Sequence, residues 1–369
     1  FHGEGTHRQS DDGGEDEHEA AHHGGAGLVV VPGGADLPDG LAGLQRPDLI
    51  LLNDDDLAYA KIRLDDASWR LATRRLRDIA ESLPRTLVWA SAWDATRDGE
   101  IPARNYVELV LQNIASESDS SVVQVLLRQL ATTLTFYVAP QDREPMTAAA
   151  ADSLWDLARA AAPGSDSQLQ FVKAFAAHAQ TPEQLDEVAA LLSGNLVLDG
   201  LEVGSDLRWE LLTGLVAGGR LGEAEIAAEL AQDATATGQL AAAMARAAIP
   251  TAEAKAAAWE AIVERTDMPN AAQRSAIVGF SRVHDTALLE PYAEKYFAAV
   301  RGVWNTRTHE IAQQIVTGLY PSRLATQSTV DATDAFLESL GSEAPSLRRL
   351  ILESRDGVVR ALRAQAADK

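Results

Sequence analysis

The sequence predicts a mainly α-helical protein, an array of helix pairs stacked into a solenoid and preceded by a small remnant of a β-sandwich. Three observations predict it. From Asp65 to the C-terminus, apolar residues recur at helical spacing and no segment reads as a strand. Cap and breaker signals punctuate that stretch at intervals of roughly 15 to 20 residues, the spacing of short helices joined by tight turns. Upstream of Asp65 there are instead short β-type runs separated by turn residues.

Residues 1–27 are polar, rich in Gly, His and acid, and without periodicity, so they are expected to be loop or disordered. Leu28 to Val31 is a short β-type run stopped by Pro32-Gly33-Gly34. Leu49 to Leu52 is a second, and Leu57 to Leu64 a third with rough alternation. The acidic turn Asn53-Asp54-Asp55-Asp56 lies between the last two. Three such strands cannot form a stable sheet alone. Residues 1–64 are therefore expected to be the truncated end of a β domain, and 65–369 a helical domain.

The first helix takes Asp65 or Asp66 as its cap and runs through Trp69, Leu71, Leu76 and Ile79, with Pro84 expected to close it. Ala103 to Ala115 places Tyr106, Val107, Val110, Leu111 and Ile114 on one face. Asp119 to Val138 follows with the same pattern. Thr181-Pro182-Glu183-Gln184 joins a capping residue to a proline at the first helical position, and that helix stops at Gly194. Further helices are expected at 205–217, 222–236, 251–266, 270–280, 286–302, 305–318, 329–340 and 345–366. Pairs recur about every 35 to 40 residues, the size of helical-hairpin repeats. By period the array is HEAT-like, with one concave face.

The chain has 369 residues, a formal charge of −22 and no cysteine. Such acidity argues against nucleic acid or an anionic membrane as partner, because phosphates would be repelled. The lack of cysteine excludes disulfides and thiolate sites and fits a reducing cytoplasm. Its apolar stretches are well short of the roughly 20 residues that a membrane span needs. No signal peptide is visible. A chain that begins at Phe1 is expected to be a piece of a longer protein.

One motif looks catalytic. His18-Glu19-Ala20-Ala21-His22 matches H-E-x-x-H, which on a helix sets two histidines on one face to hold zinc beside a glutamate base. Here it lies in a stretch crowded with His and Glu, between two glycine pairs, with no apolar face to fix a helix against a core. Zinc ligands need rigid support. The pentapeptide is read as a chance match in a solvated segment, and no catalytic or metal role is given to it.

The stretch Leu51-Leu-Asn-Asp-Asp-Asp-Leu-Ala-Tyr-Ala-Lys-Ile-Arg-Leu-Asp65 resembles a junction in the aminopeptidase N family of zinc aminopeptidases, especially its actinobacterial members. There a small β-sandwich passes into a large C-terminal helical domain. The resemblance continues through Leu87 to Val107, Asp206-Leu-Arg-Trp-Glu-Leu-Leu212, Lys255 to Trp259, Pro291 to Phe297 and Val303-Trp304. It spans nearly all of residues 47–369, and residues 1–46 match poorly. It implies an upstream catalytic domain that holds the zinc. The third ligand would be a glutamate 19 residues beyond the second histidine, and a G-x-M-E-N segment would bind the substrate's amino terminus. That count from His22 reaches Leu41, and Met146, Met244 and Met268 all lack the G-x-M-E-N context.

The resemblance thus implies a non-catalytic region, without zinc of its own, that caps the active-site cavity of a zinc enzyme. Its partners would be the catalytic domain of the same protein and a peptide. Positive groups on the concave face would meet the distal part of that peptide. Arg208 and Arg104 are the candidates, because the guanidinium fork suits a carboxylate. The competing reading pairs each with nearby acids such as Glu100, Asp206 and Glu210. Asp54-Asp55-Asp56 is read as a turn rather than a cation site. The seven tryptophans are read as packing, and His178, His284 and His309 as surface or capping residues. A free-standing solenoid that binds a protein partner is the alternative function.

Overall fold

The computed structural model describes residues 28–29 and 45–369. Among them are sixteen α-helices and one pair of two-residue strands. The helices are α1 (Asp66–Arg75), α2 (Ser82–Arg97), α3 (Ala103–Asn113), α4 (Ser120–Thr132), α5 (Pro140–Ala160), α6 (Asp166–His178), α7 (Pro182–Ser193) and α8 (Ser205–Ala217). They continue as α9 (Glu223–Gln232), α10 (Ala236–Ala248), α11 (Ala252–Trp259), α12 (Asn270–Ser281), α13 (Pro291–Thr306), α14 (His309–Gly318), α15 (Gln327–Leu340) and α16 (Pro345–Ala367). Single π turns, Thr133–Tyr137 and Glu260–Glu264, extend α4 and α11.

The starts are set by side-chain caps. Asp65, Asp119, Ser165, Thr235, Thr251, Thr308 and Thr326 each accept a backbone N–H of the first turn that has no intrahelical acceptor. Thr181 and Gln184 form a reciprocal capping box, as the Thr-Pro start predicts. Pro84 does not close a helix. It lies in the first turn of α2, where the missing N–H breaks no helical hydrogen bond, and α1 has already ended at Arg75. Apolar spacing gives no boundaries for α2, α5, α6 or the Ala-rich α10, and it carries the helix expected at 222–236 past the end of α9 at Gln232.

Leu28–Val29 pairs in parallel with Leu49–Ile50, and the expected third strand, Leu57 to Leu64, is irregular. The cause is local. Asn53, Asp55 and Asp56 take positive φ, and the Asn53 amide bonds both backbone groups of Ala58, which turns the chain away from a ladder. Ser91 of α2 then bonds the carbonyl of Ile62, while Lys61 and Arg63 pair with Asp98 and Glu100. Helix α2, rather than a neighbouring strand, holds this segment.

From α5 onward each odd-numbered helix packs on the even-numbered helix that follows it, and α6, α8, α10, α12, α14 and α16 contact one another in succession. Two glycines permit the closest approaches. A side chain at Gly214 would strike the carbonyl of Ala176, and one at Gly279 the carbonyl of Met244. The row turns back on itself: α16 touches α2, α3 and the 133–137 turn. Gln365 donates to the Phe136 carbonyl, and Asp368 accepts from the backbone of Ala139 and Arg104. Three apolar cores lie along the array, and Ala325 packs against both of the larger ones. Within the array, buried Lys255 donates to the Ala247 and Phe280 carbonyls at 2.6 and 3.0 Å, tying the C-terminal ends of α10 and α12 together. Desolvation pushes its pKa down to about 7.

Candidate functional site

Both sequence-predicted arginines are engaged inside the fold. Arg208, in the first turns of α8, makes a two-pronged pair with Glu229 of α9, 2.7 Å at each oxygen, and donates to the Leu192 carbonyl. Arg104, in the first turn of α3, binds Asp368 through Nε at 2.9 Å and Asp142 at 2.9 Å. Hydrogen bonds donated to their acids raise the pKa of both guanidiniums, which keeps them charged. Their partners are Glu229, Asp368 and Asp142 rather than the acids adjacent in sequence. The structure does not bring Arg104 and Arg208 into one shared pair.

A different set of basic residues, at or near helix ends, influences one another's charge. Arg143 lies in the first turn of α5, His178 ends α6, Arg282 and His284 follow α12, and Arg323 lies in the turn between α14 and α15. The charges of Arg282 and Arg323 act on both imidazoles, and that of Arg143 acts on Arg323. Arg143, His178, Arg282 and Arg323 are half-buried, and His284 is exposed. Protein nonetheless surrounds each of them enough to disfavour its charged form. Desolvation lowers the pKa of Arg143 and Arg282 and takes Arg323 to about 10. Desolvation and then the neighbouring arginines lower both histidines, His284 to about 4. Both shifts favour the neutral imidazole.

The protein satisfies these cations only in part. Arg323 donates to the Val283 carbonyl at 2.7 Å and Arg143 to the Val138 carbonyl at 3.2 Å. Nε of Arg143, Nη2 of Arg282 and Nε of Arg323 are buried without a hydrogen-bond partner. Glu210 is the carboxylate whose charge acts on Arg282. The Nδ1 of His178 lies 2.8 Å from the Ala174 carbonyl, an acceptor, so the proton is on Nδ1 and Nε2 carries a free lone pair. Sequence reasoning missed this cluster because each member looks like an ordinary basic residue at a helix end.

The pentapeptide His18–His22 lies outside the described residues. Among the described residues, no group of three or more His, Cys, Asp or Glu side chains is placed to hold a metal ion. Asp54–Asp56 form a tight turn closed by Asn53. Trp89, Trp155, Trp209 and Trp259 are buried in the cores, and Trp69, Trp93 and Trp304 pack against them. No described helix is long and apolar enough to cross a membrane. A surface hollow of about 490 Å³ lies between α13 and α15, floored by Phe297 and Phe336.

Residues 49–360 match the family model described as the ERAP1-like C-terminal domain. The chain is also similar to an aminopeptidase N of Streptomyces lividans, 52% identical over 328 residues. That alignment covers 89% of this chain and 38% of the relative, so the chain spans well under half of the relative's length.

Proposed function

The chain belongs to the ERAP1-like C-terminal domain family, as the C-terminal domain of an aminopeptidase N, and from that premise we propose that it is the non-catalytic cap of a zinc-dependent aminopeptidase. In this reading an upstream catalytic domain binds zinc and removes residues from the amino end of peptides. The helical region lies over its cavity, as a HEAT-like solenoid whose concave face meets the distal end of the peptide. The strand pair at Leu28–Val29 and Leu49–Ile50 is the last piece of an intervening β-sandwich. The region acts in the cytoplasm, which suits a chain without cysteine.

One observation carries this reading. Identity of 52% extends over 89% of the chain, while most of the relative's length lies outside the alignment and is available for the chemistry. Arg208 and Arg104 would serve the peptide only by exchanging internal partners, which their bonds to Glu229 and Asp368 resist. The test is enzymatic. With zinc and an aminoacyl chromogenic amide, the isolated 369-residue chain is expected to give no turnover, whereas the longer protein containing it hydrolyses the amide. Chelator-sensitive hydrolysis by the isolated chain would overturn the assignment.

A further inference from the structure

We propose that the hollow between α13 and α15 is a binding site for an organic ammonium ion with a small aromatic body, its cation held at Glu294. The inference stands apart from the peptidase reading and uses none of the residues invoked there.

Two helical faces build the hollow. Ala293 and Phe297 lie one turn apart on α13, and Ser328, Thr329, Ala332, Ala335 and Phe336 recur at helical spacing on α15. The alanines are too short to fill the gap between the helices, and a space of about 490 Å³ remains, in the range of small-molecule sites. Its floor is aromatic, with the Phe297 and Phe336 ring centroids 5.8 Å apart. That floor is held in place by its neighbours. Phe297 stands edge-on to Tyr296 and Tyr320, with centroids at 5.1 and 6.3 Å. The two tyrosine hydroxyls are anchored on the Val316 carbonyl and on Thr333, each at 2.7 Å. The apolar surface is therefore preformed, and binding does not have to order it.

The polar lining selects the ligand's charge. The Thr329 hydroxyl donates to the Leu324 carbonyl at 2.6 Å, and the Ser328 hydroxyl is bonded to that of Thr326 at 2.8 Å, so both are engaged. Glu294 is the charged residue of the lining, and it is exposed. Among the described residues no basic side chain pairs with it. Arg301 of the same helix pairs with Glu343, and Lys295 lies over the Tyr292 ring at 5.0 Å. An unpaired carboxylate beside an aromatic floor attracts a cation in two ways, through its own charge and through the negative faces of the rings. An anionic ligand of the same shape is repelled by Glu294, and a neutral one forgoes the attraction.

The experiment titrates the full 369-residue chain with three probes of similar shape, phenethylammonium, phenethyl alcohol and phenylacetate, followed by calorimetry and ligand-observed NMR. Saturable binding is expected, tightest for the ammonium and weakest for the carboxylate. The ammonium should exceed the alcohol by about fivefold, the most that one exposed charge pair supplies. Glu294→Gln should erase that advantage and leave the alcohol unaffected. Ala335→Leu, also at an exposed position, should fill the hollow and weaken both. Absence of saturable ammonium binding overturns the proposal, as does equal affinity for ammonium and carboxylate. Ammonium affinity that is unchanged in both variants also overturns it. So does a concentration-dependent dimer that Ala335→Leu dissolves, since the hollow would then seat a second copy of the chain. The order of the three probes is read on the unmodified chain and decides the charge preference even where a variant fails to fold.

Discussion

Arg85 and Arg282 are both withdrawn from water, and they are in opposite electrostatic situations. Arg85, on α2, grips both oxygens of Glu117 at 3.0 and 3.1 Å and donates to the carbonyls of Ile79 and Ala80. Trp89 donates to the same carboxylate at 2.8 Å, so donors and acceptors are matched. Arg282, just past the end of α12, keeps a buried nitrogen without a partner, and its charge acts on the His178 and His284 imidazoles. The first arrangement fixes one way of packing α1 to α4. The second leaves a donor of the guanidinium unmatched. Pairing separates the two roles where burial does not.

The largest effect is expected at the matched site. Glu117→Ala leaves the Arg85 guanidinium buried without its counter-charge, which costs about 3–5 kcal/mol. Urea unfolding should show a midpoint shift of that size with an unchanged slope. A loss below about 1 kcal/mol, the range of an exposed pair, would mean that Arg85 reaches water by another route and that the contrast with Arg282 fails.

Asp368 extends the comparison to the seam where the C-terminus meets the first helices. Its side chain is buried and accepts from the backbone of Arg104 and Ala139 and from Arg104 Nε. Asp368→Ala is expected to cost about 2–3 kcal/mol, in keeping with charge-assisted hydrogen bonds. Desolvation alone would raise its pKa, but the bonds from Arg104 and Ala139 outweigh it and leave the value lowered. A depressed carboxyl pKa gives stability that is fully present above the unfolded value and is lost as pH falls through the folded one. The wild-type and variant unfolding curves should therefore lie apart at neutral pH and converge in acid, below the ordinary carboxylate range. Curves that stay parallel in acid would remove the ion pair from the account of the seam.

Much of the helical architecture was legible because its signals are local. Thr181-Pro182 with Gln184 announces a capped helix from four adjacent residues, and the structure forms both halves of the box. The Leu57–Leu64 segment misled because its alternation is real, while its neighbour is the Ser91 and Asp98 face of α2 rather than a strand. The partners of the two predicted arginines escaped sequence reading for a related reason. Arg104 meets Asp368 across nearly the whole chain, a contact that no sequence spacing reports. The unpartnered nitrogens of Arg143, Arg282 and Arg323 are harder still, since they depend on tertiary burial. Helix periodicity does not describe it.

The smallest effect is expected at Arg282 itself, and its sign makes it the most discriminating test of the comparison. Replacing one partner of a satisfied pair strands the other, whereas replacing an unpaired cation strands nothing. Arg282→Gln keeps much of the side chain's length and removes a charge that desolvation already disfavours. Glu210 loses one attractive neighbour, a partial offset. Unfolding stability should therefore change by less than about 1 kcal/mol and in the stabilising direction, as happens when buried charges give way to neutral groups. If Arg282→Gln instead destabilises the chain as much as Glu117→Ala, the guanidinium is a structural element like Arg85. Pairing would then no longer separate the two regions.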